Sequence, residues 1–239
     1  MKVIDSKYEI LTDLSNPIQL LKQIEIAGRV CYKSEDKITE TSCLPFCKML
    51  INRGHEAMLE HSSFTVKFTI DRAIANELVR HRIASYAQSS TRYCNYSKGK
   101  FGNEITVIKP EEFETGTYEF DIWWSACKYA EDAYMSLIKN ETKSELARNV
   151  LPLSLATEIV VTANIREWRN IFKLRSSHNV CAHPQMRSIM DKLLYELKAK
   201  IPVLFDDIGE DKWKPIWDRD LYYILIYSYT LDNISYIRC

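Results

Sequence analysis

The sequence predicts an α+β fold: a mostly antiparallel sheet flanked by helices. Three observations carry that reading. Phe64, Val66, Phe68 and Ile70 alternate with Thr65, Lys67 and Thr69, the period of a half-buried strand. Leu155 to Asn164 is rich in β-branched residues and reads as a second strand. Other segments, first among them Ile18, Leu21, Ile24 and Ala27, place apolar residues at helical spacing, which supplies helices to pack beside the sheet.

The elements follow in order. Lys7 to Leu11 is a short strand. Asn16 is placed to cap the next helix, Pro17 suits its first position, and Gly28 weakens its end. A second helix runs from about Ser42 to Asn52, with Pro45 tolerated in its first turn and Gly54 near its end. After the alternating strand, Asp71 caps a helix from Arg72 to about Arg82. Residues 83 to 103 read as irregular, polar and aromatic. Ile105 to Ile108 is a strand stopped before Pro110. Thr117 to Lys139 is a long helix whose Trp123, Trp124, Tyr129 and Tyr134 belong to the core and a subunit interface. Lys143 to Val150 is a shorter helix, and helices at Arg166 to Arg175 and Pro184 to Lys200 follow the last strand. Residues 201–239 are unassigned; Leu221 to Ile237 fits a strand pair or a helix. Without an internal repeat or a clear linker, the 239 residues read as a single domain.

Composition narrows the function classes. Thirty-two Lys plus Arg balance thirty-two Asp plus Glu, so bulk charge does not hold this chain to nucleic acid or to an anionic membrane. Only six Gly and seven Pro occur, which argues against low-complexity disorder. No apolar run approaches the roughly 18–20 residues of a membrane helix, and Asp5 comes too early for a secretory leader. Seven scattered Cys read as reduced thiols in a cytoplasm.

Chemistry concentrates in one stretch. Between Arg80 and Arg92 lie three arginines, His81, and the hydroxyls of Ser85, Ser89, Ser90 and Thr91. Arginine forks suit phosphate and carboxylate oxygens, and hydroxyl and backbone N–H groups complete an anion cradle. The plain alternative is a solvated helix end, which loses ground because no acidic run lies nearby in the chain to pair with these arginines.

The spacing of Arg80, His81, Arg82, Ser90 and Arg92 resembles the short signature of the flavin-dependent thymidylate synthases. Further blocks recur in that family's order. Arg53 to His61 resembles its His-Glu…Glu-His segment, Glu145 to Leu153 resembles the block before the last strand, and Asn164, Arg166, Asn170 and Arg175 follow. The resemblance spans about residues 16–200. It implies a homotetramer of the ThyX kind with active sites shared between subunits. It also implies FAD as cofactor, dUMP as substrate, and NADPH and methylenetetrahydrofolate as co-substrates. The product is dTMP, and no cysteine acts as nucleophile.

The resemblance also implies residue roles. Arg80, His81 and Arg82 match the flavin-contacting triplet, with Arg80 reaching the nucleotide too. Asn164, Arg166 and Asn170 match flavin contacts, and His55, Ala57 and Glu60 lie in the segment beside the flavin ring. Glu77, three residues before Arg80, falls at the edge of the dUMP site on what reads as a shared helix face. Gln88, Ser89, Ser90, Thr91 and Arg92 match the loop that cradles the dUMP phosphate from a neighbouring subunit; Gln88 also falls among the cofactor contacts. Arg148 matches a further dUMP contact. Arg175 matches the catalytic arginine facing the uracil, where a fixed cation favours the N3-deprotonated ring and raises electron density at C5. The departures are Ala57, where some members place Thr; Ala87 and Gln88, where Asn and Glu are common; and Cys31, where some have Ser.

His55 and His61 with Glu56 or Glu60 lack the partner set of a metal site, and His178, Cys181 and His183 read as a loop with incidental ligand types, so no metal is expected. Cys94 is the only Cys close to the arginine stretch. A nucleotide-binding module would use the arginines alone and would usually be basic. An inactive relative would be expected to lose part of the signature.

Overall fold

The computed structural model describes residues 1–209 apart from Val180 and Pro202. Its strands are β1 (Lys2–Ile4), β2 (Lys7–Ile10), β3 (Ser63–Asp71), β4 (Ala84–Gln88), β5 (Thr106–Ile108) and β6 (Ala156–Asn164). Its helices are α1 (Ile18–Val30), α2 (Cys43–Asn52), α3 (Arg72–Leu78), α4 (Tyr118–Lys139), α5 (Ser144–Ala147), α6 (Ile165–Arg175) and α7 (Pro184–Lys200). Four strands form an antiparallel sheet in the order β2-β3-β6-β4, and β1 pairs in parallel with β5 in a second, two-stranded sheet. Leu221 to Ile237 lies outside the described residues.

The alternation read in the sequence does what the period dictates. Phe64, Val66, Phe68 and Ile70 of β3 and Ile159, Val161 and Ala163 of β6 all face one core. Helices α1, α2, α6 and α7 close that core, where Trp168 stacks on Phe64 with ring centroids 4.8 Å apart. A smaller cluster of Tyr96, Ile105, Val107, Cys127, Tyr134 and Leu155 sits under α4.

Several expectations need correction. Helix α3 ends at Leu78, not near Arg82, because the chain turns: the Arg80 N–H donates to the Glu77 carbonyl and the His81 N–H to that of Leu78. The stretch read as irregular contains β4, whose mixed Ala84-Ser85-Tyr86-Ala87-Gln88 has no clean alternation but pairs along β6. Lys143 to Val150 is not one helix; α5 is a single turn followed by a 3-10 turn at Arg148–Val150. Asn16 makes no capping bond to α1 through its side chain. Gly28 has a packing reason: a Cβ there would lie 2.7 Å from the Phe46 ring of α2.

Other local signals hold. The Asp71 carboxylate accepts from the Ile74 N–H at 2.7 Å as the cap of α3; Thr117, read as the first residue of the long helix, is instead its cap, the hydroxyl accepting from the Phe120 N–H at 3.3 Å. Gly54 takes φ +69 after α2, while its N–H and that of His55 donate to the Ile51 and Leu50 carbonyls. That is the Schellman closure a left-handed residue permits. Of the aromatics on α4, Tyr134 is buried and Trp123 packs on the smaller core, whereas Trp124 and Tyr129 are exposed.

Candidate active site

Strand β6 runs directly into α6, and Asn164 stands at the junction. Its side-chain carbonyl accepts from the Glu167 N–H at 2.8 Å, capping the helix. Asn followed three residues later by Glu is a capping-box pattern, in which the Glu would reach back to the cap. Here the Glu167 carboxylate turns instead to His81, whose Nδ1 lies 3.2 Å from Oε1, and to Asn170, whose amide donates at 3.4 Å.

On the other side of the ring, Arg175 Nε donates to His81 Nε2 at 3.0 Å. The same guanidinium donates to the Glu77 carboxylate at 3.0 Å and to the Glu77 carbonyl at 3.4 Å. The order is therefore Glu77, Arg175, His81, Glu167, Asn170. Burial first, then the Arg175 charge, push the imidazole pKa down to about 4. The ring is neutral near pH 7, so its contact with Glu167 is a hydrogen bond and not an ion pair. Burial raises the Glu167 carboxyl above its usual range, against the Asn170 bond and the Arg166 charge, which lower it.

Tyr86 locks the turn that carries His81. Its hydroxyl lies 3.0 Å from the Leu78 carbonyl and 2.6 Å from the His81 carbonyl, and burial pushes its pKa up to about 12.

A cleft of about 330 Å³ opens beside this relay. Glu56, Glu60, Ile83, Asn164, Arg166 and Asn170 are on its wall, with Glu167 and Lys173. Arg166 donates to Glu60 at 2.5 Å, while Glu56 lies 3.5 Å from Lys173 and 3.8 Å from Arg166. His55 and Ala57, on the same segment as Glu56 and Glu60, are exposed and do not line the cleft.

Arg80 and Arg82 are exposed, and neither guanidinium has a partner among the described residues. Glu77 therefore does not pair with Arg80, since α3 ends between them; its partner is Arg175, 98 residues on.

The remaining predicted residues form a second group. Gln88 and Ser89 bond the Thr157 hydroxyl at 3.2 and 2.9 Å. Arg148 donates to the Thr91 hydroxyl at 3.3 Å, and the Ser90 hydroxyl accepts from the Arg92 N–H. Arg92 pairs with Glu145 at 3.0 Å, so an acidic partner distant in sequence is supplied by the fold. The two groups are not brought together within one chain. They occupy opposite ends of β4, and five residues at about 3.3 Å each separate them by roughly 15 Å.

Sequence reasoning missed Glu167, Tyr86 and Lys173. Only Glu167 had a signal, the Asn-x-x-Glu spacing, and that signal suggests a cap. Among the described residues no group of His, Cys, Asp and Glu is arranged to hold a metal ion. His183 instead caps α7, its Nδ1 accepting from the Gln185 N–H at 3.3 Å.

The thymidylate synthase complementing protein family matches residues 15–203. The chain belongs to this family, that of the flavin-dependent thymidylate synthases. It is 33% identical over 193 residues to the flavin-dependent thymidylate synthase of Geobacter sulfurreducens, covering 78% of this chain and 81% of that one. It is 33% identical over 189 residues to that of Pyrococcus abyssi, covering 75% of each. The fold resembles the crystal structure of a UMP/dUMP methylase, PolB from Streptomyces cacaoi, bound with 5-Br dUMP. That likeness has a TM-score of 0.68 at 20% identity, over 86% of this chain and 95% of the other. Membership of the flavin-dependent synthase family makes the chain an enzyme.

The residues present fit a flavin nucleotide. The cleft presents the amides of Asn164 and Asn170 and the guanidinium of Arg166, a donor set suited to phosphate and ring-carbonyl oxygens, and the exposed Arg82 precedes Ile83 of its wall in the chain. Its volume is at the low end of the about 300–1,000 Å³ of ligand pockets.

Proposed function

We propose that this enzyme methylates dUMP reductively to dTMP, with methylenetetrahydrofolate as carbon donor and without a cysteine nucleophile. FAD, when bound, supplies the hydride that NADPH provides and that completes the methyl group. The observation that carries the reading is the Arg175 guanidinium, fixed by Glu77 and His81 beside the cleft. Three of its five N–H groups are engaged, leaving one on each terminal nitrogen for a ligand.

In this reading Arg175 directs those two N–H groups at the uracil edge and favours the N3-deprotonated ring, whose electron density at C5 goes into the new bond as C5 attacks the carbon donor. Glu77 lies 3.0 Å from the guanidinium and offsets much of its charge. Directed donation, more than a bare cation, is then what Arg175 contributes. Arg80, Arg82, Asn164, Arg166 and Asn170 hold FAD, with His81 setting the site's edge and Ala57 offering only backbone. Ser89, Ser90, Thr91, Arg92 and Arg148, with Gln88 bracing the loop through Thr157, hold the nucleotide phosphate.

The roughly 15 Å between the two groups supports a site completed by another subunit, the loop of one chain meeting Arg175 of its neighbour in a homotetramer. Exposed Ile83, Trp124, Tyr129 and Leu153 supply apolar surface for such contacts. The cytoplasm is the compartment that fits, since Cys31, Cys43, Cys47, Cys94, Cys127 and Cys181 are all unpaired thiols.

The test is a visible spectrum of the purified protein, repeated anaerobically with NADPH, followed by a direct dTMP assay. A flavin spectrum that bleaches, with dTMP formed by the wild type and lost in Arg175→Ala at unchanged flavin content, is the expected result. A colourless protein that takes up no FAD would leave a phosphate-binding module and overturn the reading.

A further inference from the structure

We infer that Glu167 is a positioning residue for Arg175, acting through the tautomer of His81. The inference rests on the assignment of Arg175 to the uracil and adds a residue to which no ligand contact is assigned.

The hydrogen-bond order fixes the proton. A guanidinium has donors only, so the Arg175 Nε–H at 3.0 Å requires a lone pair on His81 Nε2. The ring proton must then sit on Nδ1, 3.2 Å from Glu167 Oε1. That residue is 6% exposed, and among the described residues no cation hydrogen-bonds its carboxylate; its other bonds are from Asn170. Its backbone already serves the Asn164 cap, so the side chain is not spent on the helix end. Removing it would leave the buried Nδ1–H without an acceptor and free the ring to take the other tautomer. An Nε2–H would then face the Arg175 Nε–H, donor against donor, and push the guanidinium from its place beside Glu77.

The alternative role for Glu167 is structural, an acid in the first turn of α6. The two roles part in what they move. A helix-end acid changes melting temperature only. A positioning acid also changes the His81 tautomer and, through it, the handling of dUMP, and the tautomer is read directly by spectroscopy.

The experiment uses the full-length flavin-loaded enzyme, with nitrogen-15 histidine spectra and steady-state kinetics on wild type, Glu167→Ala and Glu167→Gln. The chain has five His, and the His81 signals are assigned by their loss in His81→Gln. In the wild type, His81 carries its proton on Nδ1. Glu167→Ala mixes the tautomers and lowers kcat/KM for dUMP about tenfold or more, as loss of a buried acceptor does. Glu167→Gln, whose amide oxygen accepts the same N–H, stays within about threefold of wild type. A wild-type His81 protonated on Nε2 overturns the inference, and this spectrum decides the matter even if Glu167→Ala does not accumulate. A folded Glu167→Ala with unchanged dUMP kinetics overturns it too. If the wild type makes no dTMP at all, the functional reading fails instead, separately from the tautomer.

Discussion

His81 gives the folded chain a pH dependence whose size follows from the site. The ring is 6% exposed. Burial, and after it the Arg175 charge, lower its pKa from 6.5 to about 4. Between those values the unfolded chain binds a proton that the folded chain refuses. Stability therefore rises with pH across this window and is lost as pH falls from 6.5 towards 4. From about pH 7.5 to about pH 5 the change amounts to roughly one and a half pH units at about 1.4 kcal/mol each, or about 2 kcal/mol. The carboxyls of Glu167 and Asp71 are raised by burial and act with the opposite sign, their contribution being lost as pH rises. His81→Gln leaves both carboxyls in place, so the difference between two proteins isolates the imidazole. Urea unfolding followed by tryptophan fluorescence at the two pH values measures it. The wild type should lose about 2 kcal/mol more than His81→Gln on acidification. Equal losses, to within about 0.5 kcal/mol, would refute the buried neutral imidazole and with it the hydrogen-bond order drawn from Arg175.

Asp207→Ala should lower the melting temperature by roughly 5–10 °C, because Arg169, 2% exposed, would lose both bonds to that carboxylate and, among the described residues, keep the Leu204 carbonyl and Glu56 at 3.9 Å; a melt within about 1 °C of wild type would contradict this. Burial opposes ionisation of Asp207, but the Arg169 pair outweighs it and holds the carboxyl below its usual range, so this stabilisation is present above about pH 4 and lost below it, and the variant should lack that acid loss. Gly28→Ala should destabilise by about 1–2 kcal/mol in urea unfolding despite the better helix former, since the Phe46 ring it meets is held under the Arg29 guanidinium at 4.6 Å; a stabilised variant would show that the ring yields. Cys94→Ala should keep dTMP formation within about twofold, because Cys94 packs on the smaller core and no Cys touches the His81–Arg175 pair among the described residues; loss of activity with intact folding and flavin content would reinstate a thiol.

What the sequence made legible was local. Alternation in β3, the Asp71 cap and the left-handed Gly54 each depend on a few neighbouring residues, and each is where the pattern puts it. Strand β4 was not legible, because its five residues mix Ala, Ser, Tyr and Gln and become a strand only by pairing with β6, some seventy residues away. The same holds for the site. The resemblance named Glu77, His81 and Arg175, but their bonds span 94 and 98 residues and no spacing rule reaches that far. Glu167 carried a cap signal that was half right, its backbone used as the pattern says and its carboxylate diverted.

That diversion shows why the relay depends on more than α6. Glu167 and Arg175 stand eight residues apart on one helix, about 12 Å along its axis, too far for their side chains to steer each other. A ring from another element must stand between them, and the turn after α3 supplies it. The helix has to stop at Leu78 for His81 to point inward, and Tyr86 holds that turn from β4 through the Leu78 and His81 carbonyls. The early end of α3 and the unforeseen strand β4 are therefore one device. A longer α3 would carry His81 round with the helix, and the Arg175 N–H groups would lose the side chain that, among the described residues, joins them to Glu167.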